Sequence, residues 1–295
     1  MIIENLVFEG GGVKGIAYGG SLLTLEKRGL TSSLKNVAGT SAGSIAATLI
    51  AAGYTGQELI DIWNTTELRK FKDNDFGIVR DIYRFLTNYG LYKGDFFYNW
   101  IQQLLKDKGF HKNISIKDFN EQSKYKLHIL VSDVTNNKSV CISSDNREMN
   151  DIPVALATKM SMSIPIYYQA VRYKGCVYCD GGVFNNYPIK VFDTKDKLAN
   201  TIGFRLGDEN KHVQIKNSNN VLQYSANIIA CMHGQLQENH LNKNDWNRTI
   251  WINCGDISPI DFDLTKNDID FLVNQGANFT NTYIDSKIAS QGDKT

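Results

Sequence analysis

Three short stretches of this chain carry residues that could do chemistry. The first is "VFEGGGVKGIAYGG" at residues 7–20, where an apolar run meets Gly10, Gly11 and Gly12. Lys14 and Gly15 follow at once. A strand, a glycine loop and a helix start present unpaired backbone N–H groups at the positive end of a helix, and so favour something negative. The letters also match G-x-G-x-x-G, a fingerprint of dinucleotide binding. A phosphate held permanently and an oxyanion held in a transition state would use the same physics.

The second stretch is "NVAGTSAGSIAATLIAAG", which contains Gly39-Thr40-Ser41-Ala42-Gly43. This is G-x-S-x-G between a strand and a helix, the context in which a serine is pushed out on a sharp turn. Gly39 and Gly43 allow close backbone approach. The alternative is a serine N-cap in a turn of small residues, and the flanking strand and helix favour a nucleophile instead. A dinucleotide site wants an acid at the end of the next strand. Here "RGLTSSLKNVAGTSAG" has no acid, and the strand ends in Ser41. Adjacent parallel strands would bring the Gly10–Gly12 loop beside Ser41, so the loop reads as an oxyanion hole.

The third stretch is "VYCDGGVFNNYPI", in which a strand delivers Asp180 to a turn made by Gly181 and Gly182. Alone, it is an ordinary Asp-Gly turn. The histidines are His111, His128, His212, His233 and His240, none in a recognisable motif. His233 or His240 would suit the chain order of an α/β-hydrolase, but that fold places several strands before its nucleophile. The histidines are expected on the surface or on helices.

Around these stretches the chain alternates strand and helix. "NLVFE", Val13–Arg28, "NVAGT", Ala42–Ala52 and "TGQELIDIWNTT" alternate early, the last with Thr55 as N-cap and Glu58 three residues on. That alternation implies a parallel sheet with helices on its faces. Residues 69–101 are dense in aromatics and read as core at helical spacing, the sharper alternative being a lid over a lipid site. "DNDFG" at 73–77 has no glycine at the sixth position of a calcium loop and Arg84 where the bidentate glutamate should be, which rejects that reading. Later come a strand pair turning at Asn136-Asn137, a helix in "IPVALATKMSMS", and a second pair turning at Lys174-Gly175. "TIGFRL" and "TIWINCG" read as strands, Asn219–Asn239 and Lys266–Ala289 as helices.

The 295 residues carry 32 Lys plus Arg and 31 Asp plus Glu, a net charge of +1 that gives no global pull toward nucleic acid or anionic membranes. Four prolines and no repeats favour one domain, 1–295. The five cysteines are too scattered for a disulfide framework. Cys176 and Cys179, with Cys231, His233 and His240, lack zinc-ligand spacing, so no metal is expected. No signal peptide or ~20-residue apolar run is read, and a cytoplasmic protein, or one exported without a cleaved N-terminal signal, is expected.

With these three blocks in order, the chain resembles the patatin-like phospholipases. "EGGGVKG", "GTSAG" and the D-G-G-x-x-x-N-x-P of "DGGVFNNYP" carry the resemblance, helped by "MSMSIPIYY" and "GLYKGDFF". It spans residues 4–206, with a C-terminal helical region over 207–295. It implies a three-layer α/β/α fold, mostly parallel, with helices on both faces. It also implies a Ser41–Asp180 dyad, Ser41 as nucleophile and Asp180 as base. Gly11 and Gly12, with Gly10 as a further candidate, would supply oxyanion N–H groups, and Lys14, Gly15, Gly39, Gly43, Gly181 and Gly182 would support the motifs. Lys14 stands where the family usually has arginine, which keeps the charge and loses the planar fork. The implied substrate is a phospholipid or other acyl lipid at a membrane or micelle surface, with peripheral membrane contact. No cofactor and no nucleic acid are implied, and an unidentified activator stays open. The competing readings are a catalytically silent lipid-binding protein of the same fold, a nucleotide-binding Rossmann protein and a Ser–His–Asp esterase.

Overall fold

A computed structural model describes residues 1–73, 87, 89–195, 198–207 and 241–292. Its main sheet is assembled from β1 (Asn5–Phe8), β2 (Asn36–Thr40), β4 (Lys126–Asp133), β5 (Lys138–Ile142), β7 (Val171–Tyr173), β8 (Cys176–Asp180), β9 (Thr201–Leu206) and β10 (Thr249–Ile252). The order is β10-β9-β1-β2-β4-β8-β7, with β5 also on β4. The pairings from β10 through β4 are parallel. Those among β4, β5, β8 and β7 are antiparallel. A separate short pair joins β3 (Gly90–Tyr92) to β6 (Ile166–Tyr168).

The result is the expected three-layer α/β/α arrangement. Side chains alternate across each strand. Leu6, Phe8, Val37, Ile129 and Phe204 enter the large core on one face, while Val7 and Ala38 meet Tyr187 and Ile189 on the other. Helix α1 (Ala17–Lys27) packs against the C-terminal helix Lys266–Gly292. The crossing is close: a Cβ at Gly20 would stand 1.9 Å from Val273 O, and one at Gly276 1.9 Å from Ala17 O. Small residues here let the two backbones touch.

Local signals in the sequence are realised at several points. Helix α2 (Ala42–Ala51) follows β2 directly. Helix α3 (Gly56–Thr65) starts with a capping box in which Thr55 and Glu58 each satisfy the other's backbone N–H. Asn137 and Lys174-Gly175 take positive φ at the two hairpin turns. Three readings need correction. The helix expected over Val13–Arg28 begins as a tight 3-10 turn, Gly12–Ile16, where Gly12 takes φ 56° and the Val13 N–H, an end group with no helical partner, donates to Pro259 O at 3.0 Å. Tyr92, expected at helical spacing, lies on β3; Phe96, Phe97 and Trp100 do lie on a helix, Asp95–Asp107, and pack with Phe71. His128 is a strand residue, half-buried on β4. Asp73, from the rejected calcium loop, instead accepts from the N–H groups of Gly94 and Phe96 and so caps that helix. The helix read over 219–239, with Cys231, His212, His233 and His240, lies outside the described residues.

Candidate active site

The parallel register of β1 on β2 fixes the first relationship. Phe8 pairs with Gly39, so the chain leaves both strands at the same sheet edge. Ser41 then turns at φ 52° and ψ −124°, a left-handed conformation that L residues adopt only where the surroundings enforce it. Enforcement comes from packing: a Cβ at Gly43 would stand 2.2 Å from Phe8 O, so only glycine lets α2 sit this close to β1. A Cβ on Gly10 would stand 3.0 Å from Ser41 Cβ. The glycine loop therefore lies against the serine, as adjacency of the strands requires.

The backbone of the turn is held from the helix Val154–Met162. Ser161 Oγ accepts from the Ser41 N–H at 2.9 Å and donates to Leu130 O at 2.6 Å. The Ser44 hydroxyl donates to Ser41 O at 2.6 Å. Met162 Sδ stands 3.7 Å from Ser41 Oγ.

Asp180 closes β8 on the antiparallel side of β4, opposite Val131. Its N–H donates to Ser163 O at 2.9 Å, and its Oδ1 accepts from the Gly182 N–H at 2.7 Å. Gly181 packs under this turn, where a Cβ would meet Leu130 O at 2.3 Å. The Ser41 hydroxyl lies close enough to the Asp180 carboxylate to lower its pKa. Ser41 and Asp180 are only 4% and 5% exposed. Burial pushes the Asp180 carboxyl up to about 7, against the opposing pull of the Ser41 hydroxyl and the Gly182 N–H. A carboxylate with that affinity can take a proton from a hydroxyl at neutral pH far better than an exposed aspartate can.

Of the three expected oxyanion donors, Gly10 is already committed: its N–H donates to Asn186 O at 3.0 Å. Gly11 and Gly12 N–H have no acceptor among the described residues. Lys14 is half-buried, and Gly15 packs under Ala42, where a Cβ would meet Ala42 Cβ at 2.9 Å. Gly39 lies beneath α2, where a Cβ would meet Gly43 O at 2.1 Å.

Histidine does not join this group among the described residues. His111 is exposed. His128 packs edge-on against Phe192, and burial pushes its imidazole down to about 4, so it stays neutral. Among the described residues no group of three metal-ligating side chains gathers. No helix there is long and apolar enough to cross a membrane.

Two supports were missed at the sequence level. One is Ser161, which looks like any small residue in "MSMSIP". The other is Glu9, 4% exposed, whose carboxylate accepts from Arg205 Nε at 3.1 Å and from the Leu206 N–H at 2.8 Å. Arg205 in turn stacks on Trp251, 4.2 Å from the ring centroid. An acid placed immediately before three glycines was the available signal for Glu9.

Residues 6–193 match the family model described as patatin-like phospholipase. YqhO of Bacillus subtilis (strain 168) is 32% identical over 274 residues, covering 88% of this chain and 90% of YqhO. The protein 463L of Invertebrate iridescent virus 6, named a probable lipid hydrolase, is 27% identical over 229 residues, 73% of this chain and 76% of its own. Among solved structures, VipD of Legionella pneumophila superposes with a TM-score of 0.68 at 17% identity, over 97% of this chain and 67% of VipD. ExoU of Pseudomonas aeruginosa, solved as a heterodimer with SpcU, gives 0.59 at 16% identity, and this chain spans about half of it, 51%. The elbow serine, the aspartate on the antiparallel flank and the glycine loop occupy one sheet edge within the matched segment, and the chain belongs to the patatin-like phospholipase family.

Proposed function

We propose that this chain is a lipid acyl hydrolase of the phospholipase A or lysophospholipase type, working through Ser41 and Asp180 without a histidine. The observation that carries this reading is the Ser41 hydroxyl, presented by a strained elbow, beside a buried carboxylate that burial pushes up to about 7. Family membership supports the substrate class, as does the likeness to 463L, named a probable lipid hydrolase.

In this mechanism Ser41 Oγ attacks the acyl carbonyl carbon as its proton passes to Asp180. The carbonyl oxygen becomes an oxyanion and takes the N–H groups of Gly11 and Gly12. One such donor is worth ~3 kcal/mol of transition-state stabilisation. The positive end of α2 adds to the same field. Collapse breaks the ester bond, and the departing alkoxide receives the proton from Asp180. Water then attacks the acyl-enzyme ester, Asp180 takes its proton, and the fatty acid leaves as Ser41 recovers its hydrogen.

The test is acyl release from mixed phospholipid vesicles, with products identified by mass spectrometry, for the wild type, Ser41→Ala and Asp180→Asn. Free fatty acid from the wild type alone is expected. Equal release by folded Ser41→Ala would refute the nucleophile, and full activity of Asp180→Asn would refute the base.

A further inference from the structure

We infer that Asn186 is a positioning residue that aims the oxyanion hole by gripping both the N–H and the carbonyl of Gly10. The asparagine belongs to the D-G-G-x-x-x-N-x-P block, and the reaction just derived gives it no task. It lies one residue beyond the short helix Gly182–Asn185, which starts at the Asp180 turn.

Its contacts with the glycine loop are reciprocal. Asn186 O accepts from the Gly10 N–H at 3.0 Å, and Asn186 Nδ2 donates to Gly10 O at 3.1 Å. Gly10 O and the Gly11 N–H belong to one planar trans peptide, so they point in opposite directions. Holding the Gly10 carbonyl therefore sets the direction of the Gly11 N–H. This control matters at this position because Gly10-Gly11-Gly12 has no Cβ to resist rotation of its peptides. Asn186 Oδ1 also fills the space beside Gly10, where an added Cβ would stand 2.3 Å from it.

The same short helix grips the other catalytic turn. Asn185 O accepts from the Thr40 hydroxyl at 2.9 Å, one residue before Ser41. The base, the nucleophile and the oxyanion donors are thus tied through one turn of helix that begins at the aspartate.

This inference rests on the hydrolase reading for its kinetic arm, and a second arm does not need it. Asn186→Ala removes the side-chain donor. Asn186→Asp keeps the shape and replaces the donor with a carboxylate, which serves if the alanine variant fails to fold. The measurements are kcat, KM and the pH profile of acyl release, and amide hydrogen exchange of the segment Phe8–Val13. Expected are a fall in kcat of roughly 10- to 100-fold, short of full loss of a donor, with KM nearly unchanged. The pH midpoint should stay where the wild type has it, because Asp180 keeps its own contacts. Exchange should quicken in Phe8–Val13 and not elsewhere. Unaltered kcat with unaltered exchange would overturn the inference. So would a loss of kcat accompanied by a displaced pH midpoint, since Asn186 would then act on Asp180. If the wild type releases no fatty acid, the hydrolase reading fails, and exchange in Phe8–Val13 alone decides whether Asn186 holds the loop.

Discussion

Asp180→Asn should stabilise the protein at alkaline pH while removing its activity. The carboxyl moves from 3.8 to about 7 on folding, chiefly through burial. A shift of about 3 units at ~1.4 kcal/mol each is about 4 kcal/mol. The sign follows from proton binding. Between the two pKa values the folded state holds a proton that the unfolded chain has released, so stability falls as pH rises through this window. Above about 7 the fold carries the full penalty of a buried charge. Asparagine is neutral throughout, and its side-chain oxygen can still accept from the Gly182 N–H. From pH 5 to pH 8 about two units of the window are crossed, so the stability of Asp180→Asn relative to wild type should grow by about 3 kcal/mol. Thermal melts at the two pH values measure this, and the gap in Tm should widen by several degrees, at about 2–4 °C per kcal/mol. Acyl release by the wild type should fall about tenfold per pH unit below 7 as the base is protonated. A Tm gap equal at pH 5 and pH 8 would refute the argument that burial is what makes this aspartate a base.

Other perturbations probe the supports. Ser161→Ala leaves the buried Ser41 N–H without its acceptor and should cost about 1–3 kcal/mol in a denaturant melt, with a fall in kcat as the elbow relaxes. Glu9→Gln weakens a charge-assisted hydrogen bond to Arg205, so a loss of about 1–3 kcal/mol is expected by the same measurement. Gly43→Ala forces a methyl toward Phe8 O, and at least 1–3 kcal/mol should disappear from the unfolding free energy. His128→Ala, His233→Ala and His240→Ala, assayed singly for acyl release, should each stay near wild type; loss of several powers of ten in any one would reinstate a histidine base.

Ser41 and the glycine loop were legible in the chain because their signals are local, whereas Asp180 stood out only through the family resemblance. Ser41 sits between a strand and a helix that hydrophobic pattern alone marks out, and Gly10–Gly12 follow a strand of the same kind. Parallel pairing of those two strands follows from the strand–helix–strand order, so the meeting of serine and glycine loop was derivable without coordinates. The hairpin turns and the Thr55–Glu58 box were equally local.

Tertiary structure decided what depends on residues far apart in sequence. The burial that moves the Asp180 pKa is a property of the assembled sheet edge, and the letters D-G-G do not contain it. The commitment of the Gly10 N–H to Asn186 joins positions 10 and 186, and the support of Ser41 by Ser161 joins 41 and 161. No periodicity encodes such pairs, because each is a single hydrogen bond between elements set by the packing of the whole. The pairing of the orphan Val13 N–H at the 3-10 start, Gly12–Ile16, has the same origin, because its acceptor is Pro259 O, far along the chain. The sequence by itself marked Ser41 and the glycine loop as groups fit to react, through turns and strand order. Packing determined their protonation and aim, because both depend on which atoms exclude water and which hold each peptide in place.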